Sequence, residues 1–183
     1  MRDETANTEV AAQALAGLGG LDILVLNAAY QKERESLDFA TEEFDRVMKT
    51  NLYAQFWMLR AAVPELPAGS SVIVTSSIQA VSPSPDLIDY AMTKAAQVAL
   101  VKAAAERLGP NGIRVNAVAP GPIWTPLIPA TGWTEKTKTF GQDTPLGRAG
   151  QPAEVAPAFV FLASGEASYV SGAVVPVTGG KPF

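Results

Sequence analysis

Hydrophobic positions along the chain follow two alternating patterns. Short unbroken apolar runs recur at 21–27 (LDILVLN), 70–77 (SSVIVTSS), 113–119 (IRVNAVA) and 171–180 (SGAVVPVTGG). They are rich in Val, Ile and Leu, and the first suits a strand buried on both faces of a parallel sheet. Between them, apolar residues recur at helical spacing over 8–18, 41–66, 86–108 and 152 to about 163. Gly19 and Gly20 stop the first of these helices. Thr41 is placed to cap the second, with Glu42 and Glu43 at its positive end. Pro152 opens the last. Asn111-Gly112 makes the turn into the third strand, and a Pro- and Gly-studded connection runs from Pro120 to about Gly150.

Strand alternating with helix predicts an α/β fold, a doubly wound parallel sheet with helices on both faces, in one domain spanning 1–183. In such sheets ligands lie beyond the carboxyl ends of the strands. Those ends carry Asn27-Ala28-Ala29, Ser76-Ser77, Pro120-Gly121-Pro122 and Thr178-Gly179-Gly180. Small residues there leave room for a flat ligand to touch backbone.

Composition narrows the chemistry by exclusion. The chain has no Cys and no His, so thiol nucleophiles, Ser–His triads and the usual zinc centres are ruled out, and no metal site is expected. A net charge of −4 with no block of like charges gives no nucleic-acid footprint. The polar start, MRDETANTEV, lacks a signal-peptide core, and the apolar runs are too short to span a bilayer. A cytoplasmic protein with no membrane partner is the expectation. Proton chemistry is left to Tyr, Lys, carboxylates and hydroxyls.

Tyr90 and Lys94 are four residues apart on the predicted helix 86–108, which puts them on one face, a turn apart. An ammonium beside a phenol favours the phenolate, and is expected to lower the Tyr90 pKa. Such a phenol gives a proton to a carbonyl oxygen or takes one from an alcohol. Ser77, at the neighbouring strand end, is placed to hydrogen-bond the same oxygen. Asn51 sits in mid-helix, where its propensity is poor.

The ordered segments N-A-A (27–29), K-T-N (49–51), T-S-S (75–77), Y-x-x-x-K (90–94) and P-G-P-I-x-T (120–125) resemble the short-chain dehydrogenase/reductase family, from about Leu21 to Gly180. The resemblance implies a Rossmann-like fold and an NAD- or NADP-dependent oxidoreductase that interconverts a secondary alcohol and a ketone. By it, Tyr90 would be the general acid/base, while Lys94 would lower its pKa and bond the nicotinamide ribose. Ser77 would orient the substrate oxygen, and Asn51 would hold a water linking Lys94 to solvent. Asn27, Ala28 and Ala29 would line the adenine-ribose side, with Ala29 where the family has Gly. Pro120, Gly121, Ile123 and Thr125 would hold the nicotinamide carboxamide. A lid over 124–140 would cover a small alcohol or carbonyl substrate touching Gln79 and Trp124, with Gly132 and Gly141 as hinges. Helices 41–63 and 86–108 would form a homodimer or homotetramer. Lys94, where cofactor-free relatives carry Arg, favours redox chemistry. The alternative is a non-catalytic interaction module built on the same helices.

The glycine-rich turn that seats a pyrophosphate at a helix N-terminus has no counterpart before Leu21. The reading is therefore of a chain that starts near the family's third helix, lacks the first βαβα units, and leaves the 21–27 strand with an apolar edge. The choice between NAD and NADP is not written in it. Weak dinucleotide binding is expected of this chain; calorimetric titration giving micromolar affinity for NADH or NADPH would overturn that expectation.

Overall fold

The computed structural model describes residues 3–133 and 135–183. Met1 and Arg2 of the polar start and Thr134 of the expected lid lie outside the described residues. Four parallel strands stand in the order β1 (Ile23–Leu26), β2 (Ser71–Thr75), β3 (Arg114–Pro120), β4 (Val174–Val177). Leu26 pairs with Val74, Thr75 with Val118 and Pro120 with Val177, so all four carboxyl ends open at one rim of the sheet. The strands are shorter than the apolar runs that announce them, because the polar ends of those runs turn away into loops.

Around the sheet lie α1 (Glu4–Leu18), α2 (Thr41–Met48), α3 (Ala54–Ala62), α4 (Ile88–Leu108), a short lid helix α5 (Leu127–Ala130) and α6 (Pro152–Ala163). Asp3 caps α1 by accepting from the Ala6 N–H at 3.0 Å, so this helix starts four residues before the predicted 8. Thr41 is the first residue of α2 and not its cap; Ala40 holds that place without a side-chain hydrogen bond. The helix predicted over 41–66 is interrupted by one π turn, Lys49–Tyr53, between α2 and α3. Such turns free a backbone carbonyl from the helical ladder.

Side-chain alternation along β2 and β3 divides the core into two layers. Val72, Val74, Val115 and Ala117 pack with Leu59 of α3 and Val101, Ala104 and Leu108 of α4. Ile73 and Val118 point to the other face and pack with Val155 and Leu162 of α6. Helices therefore do cover both faces. Arg114 donates to the Leu162 and Ser164 carbonyls at 2.8 and 3.2 Å, and the Ser71 hydroxyl donates to Leu162 at 2.8 Å, tying the end of α6 to the sheet. Because β1 to β4 step in one direction while α6 lies opposite α3 and α4, the β3–α6–β4 crossover has the hand opposite to the two before it.

The 21–27 strand is not buried on both faces. β1 is an edge strand; Leu26 is buried but Ile23 and Val25 are 46% and 45% exposed, since α6 covers β2 and β3 and does not reach over it. The apolar edge expected of this strand is present.

Candidate active site

A cavity of about 690 Å³ opens at the carboxyl ends of the strands, where parallel topology places the loops. Each strand contributes: Asn27, Ala28 and Ala29 follow β1, Thr75, Ser76 and Ser77 end β2, Pro120 to Ile123 end β3, and Lys181 follows β4. Gly121 is required by close packing, because a Cβ there would lie 2.8 Å from Thr178 Cα. Tyr90 and Lys94 project into the cavity from α4, and Gln79 and Thr125 also stand on its wall.

Tyr90, Ser77 and Lys94 are almost fully buried. The Ser77 hydroxyl is near enough to the phenol to pull its pKa down, and it accepts from the Gln79 N–H at 3.2 Å. Lys94 Nζ donates to the Thr75 carbonyl at 2.7 Å and lies 5.2 Å from the Tyr90 ring centroid. Ser76 donates to the Lys94 carbonyl at 3.0 Å, which fastens α4 to the end of β2. Burial pushes the Tyr90 phenol up to about 12, against a smaller downward pull from Ser77. Burial also pushes Lys94 down to about 7. The expected lowering of the Tyr90 pKa is thus reversed: desolvation disfavours both charged forms, and for Tyr90 it outweighs the pull of Ser77.

Trp124 lies elsewhere than expected, and Asn51 stands behind the cavity wall. Asn51, in the π turn, is fully buried and off the cavity wall. Its amide accepts from the Tyr30 N–H at 2.7 Å and donates to the Tyr30 carbonyl at 2.8 Å and to Thr93 Oγ1 at 3.1 Å. The Asn51 backbone carbonyl accepts from Gln97 Nε2 at 2.6 Å. Asn51 therefore pins the loop after β1 to α4. Trp124 is 44% exposed. A bridge between Ile123 and Gly150 sets side-chain alternation there, so Ile123 faces the cavity and Trp124 faces out against Phe140. Trp133 and Phe140 supply the aromatic wall instead.

The segment 30–34 holds these parts together, and sequence reasoning missed it. Besides the Asn51 contacts to Tyr30, Gln31 Nε2 donates to Thr131 Oγ1 of the lid at 2.6 Å, and the Glu33 N–H donates to the Thr131 carbonyl at 2.9 Å. Arg34 forms a buried ion pair with Asp89, its Nε and one terminal nitrogen reaching Oδ2 at 3.0 and 2.7 Å. The other Asp89 oxygen accepts from the Tyr90 N–H at 2.9 Å. Lys136 of the lid pairs with Glu33 at 2.9 Å and with Asp86. Partners 50 to 103 residues apart leave no spacing signal. Of the two expected hinges, Gly132 (φ +101°) has open space, whereas a Cβ at Gly141 would sit 2.4 Å from Ala149 N, so Gly141 is a packing contact.

The Lys94 shift has a consequence for stability. In the unfolded chain the amine keeps its proton to about 10.5, and in the folded one to about 7. Between these values the unfolded state binds the extra proton, so stability rises with pH across that window. The burial penalty is complete below about pH 7 and gone above about 10.5. Urea unfolding of Lys94→Met is expected to show an advantage over the parent near pH 7 that shrinks steadily towards pH 10. A constant difference would contradict the buried, shifted amine.

Known proteins give the same picture. The family model described as "Enoyl-(Acyl carrier protein) reductase" matches residues 1–181. General stress protein 39 of Bacillus subtilis is 49% identical over 180 residues, covering 98% of this chain and 63% of that protein. A glucose and ribitol dehydrogenase homolog of Oryza sativa subsp. japonica is 51% identical over 171 residues, covering 88% and 57%. This chain thus spans less than two thirds of the length of these relatives. Among solved structures, 3-ketoacyl-(acyl-carrier-protein) reductase from Brucella melitensis complexed with NADH superposes with a TM-score of 0.90 at 31% identity, covering 100% of this chain and 76% of that one. A blue fluorescent protein from a metagenomic library, in complex with NADPH, gives 0.91 at 30% identity, covering 98% and 72%. With its fold, its strand-end cavity and a family match over nearly its whole length, this chain belongs to the short-chain dehydrogenase/reductase family of oxidoreductases.

Proposed function

We propose that the chain carries the proton-handling centre of an NAD(P)-dependent oxidoreductase that interconverts a secondary alcohol and a ketone. The observation that carries this reading is the buried Tyr90, with Ser77 beside it and Lys94 one helical turn away, all three on the wall of a strand-end cavity.

The residues present fit the nicotinamide half of a dinucleotide. Lys94 Nζ spends one N–H on Thr75 and keeps two, suited to ribose hydroxyls. The Ile123 N–H and the Thr125 hydroxyl have no partner among the described residues and suit a carboxamide. Asn27, Ala28 and Ala29 offer a low wall of small side chains. When bound, the nicotinamide supplies or accepts the hydride. Tyr90, neutral at pH 7 with its pKa near 12, gives its proton to the carbonyl oxygen in the reducing direction. Ser77 donates a hydrogen bond to that oxygen and holds it against the phenol. In the oxidising direction Tyr90 first loses its own proton to solvent through the cavity and then receives the alcohol proton, a protonated Lys94 offsetting the phenolate charge in between.

Removing the proton donor tests this directly. Tyr90→Phe should lower kcat for carbonyl reduction at saturating cofactor by roughly 10²–10⁴-fold, followed by nicotinamide absorbance over a panel of ketones and aldehydes. Equal rates for the parent and Tyr90→Phe would sink the redox reading and favour the interaction module.

We also propose a homodimer or homotetramer formed through α2–α3 and α4. The support is apolar surface on these helices: Tyr53, Phe56 and Met92 are 45%, 48% and 50% exposed. Phe56→Glu should shift the molar mass measured by light scattering towards the monomer. An unchanged mass would remove this face from the interface.

A further inference from the structure

The cavity wall carries two carboxamides whose orientations are fixed by their neighbours. Thr131 Oγ1 gives its own proton to the Leu127 carbonyl at 2.8 Å, so towards Gln31 it only accepts. The Gln31 amide must therefore turn its nitrogen to Thr131, at 2.6 Å, and its oxygen away. The Ser84 backbone N–H only donates, and it binds Gln79 Oε1 at 2.6 Å, which turns the Gln79 nitrogen away. Among the described residues neither the outer Gln31 oxygen nor the outer Gln79 nitrogen has a partner, and both side chains line the cavity. Neither atom is among the buried unpartnered ones. One acceptor and one donor thus stand ready on the wall that holds Ser77 and Tyr90.

The rest of the wall narrows what they receive. Its charged side chains, among the described residues, are Lys94, which donates to Thr75, and Lys181, which is paired with Asp143. Apart from the Lys94 N–H groups assigned to the ribose, no unpaired cation among the described wall residues waits for a carboxylate or phosphate. Leu87, Ile128, Trp133 and Phe140 are apolar, and the last two rings lie 6.1 Å apart. Apolar walls with a few fixed polar groups are how pockets orient small ligands.

We propose that Gln31 and Gln79 form a hydroxyl-reading subsite, and that the substrate is a small uncharged polyhydroxylated alcohol or the matching hydroxylated carbonyl. One substrate hydroxyl donates to Gln31 Oε1 and another accepts from Gln79 Nε2, while the carbon chain lies along the apolar wall. This rests on Tyr90 and Ser77 being the reacting pair. A substrate lacking those hydroxyls would strip water from both amides and return nothing, which is how polar sites reject deoxy analogues.

Glyceraldehyde and propanal make a matched pair of probes, with xylitol as a binding probe. The parent is expected to show kcat/KM at least about tenfold higher for glyceraldehyde than for propanal. Gln31→Met and Gln79→Met, each near-isosteric, should each cut that ratio by about fivefold to tenfold. Either variant serves if the other fails to fold. No preference in the parent, or a ratio unchanged in both variants, overturns the subsite. Saturation-transfer NMR with xylitol needs no turnover and separates the two readings. Xylitol binding that weakens in both variants, with no ketone or aldehyde of the panel reduced, supports the subsite and sinks the redox reading. Propanal reduced without xylitol binding keeps the redox reading and overturns the subsite.

Discussion

A lysine with 1% of its surface exposed is the constraint around which the rest of the site is arranged. Lys94 sits in mid-helix on α4, its amine is drawn to the last carbonyl of β2, and its own carbonyl is held by Ser76. An ammonium so placed loses its hydration, and a single strong hydrogen bond does not restore it. Hence the amine falls to about 7 while the phenol beside it climbs to about 12. Between those values the site favours an uncharged pair, and the same dryness makes any charge that does develop there strongly felt.

Holding such a pair requires that α4 not slide along β2, and the segment 30–34 prevents it. Arg34 grips Asp89, and Asp89 in turn accepts from the Tyr90 N–H. A buried pair of this kind is poor evidence of stability, but breaking it leaves a stranded charge, so it is an effective registry device. The π turn serves the same end from the other side. Within it Asn51 spends its whole amide on Tyr30 and Thr93, and its backbone carbonyl accepts from Gln97 of α4. The lid joins the same node through Thr131 and Lys136. The segment around Thr131 and Lys136, the loop after β1 and Tyr90 therefore share anchors.

The fold was largely legible, because apolar runs and helical spacing are local signals. All four strands and the main helices stand where periodicity places them. What periodicity does not carry is neighbourhood. The run 21–27 reads as doubly buried from its composition, but whether Ile23 and Val25 are covered depends on where α6 lies. The core of the site was equally legible, since Tyr90 and Lys94 are one helical turn apart and Ser77 ends a strand. The pKa of Tyr90 was not, because burial is a property of the packed molecule and it reversed the effect expected of the charge. Nor were the roles of Gln31, Arg34 and Thr131, whose partners are separated in sequence by tens of residues. Asn51 was recognisable as an unusual residue, but its work became clear only with the π turn around it. Trp124 was misplaced by one step of side-chain alternation.

The reversed hand of the last crossover is what makes the cavity a cavity. Had α6 followed the usual rule, it would lie beside α4, and the far side of the strand ends would be bare. Placed on the opposite face, it brings Val155 and Phe159 to the wall facing Tyr90. Arg114 and Ser71 fix the end of α6 on that face by satisfying its last carbonyls, which a helix end otherwise leaves to water. From that face α6 packs on β2, β3 and β4 and stops short of β1, so Ile23 and Val25 stay uncovered while the strand ends are enclosed.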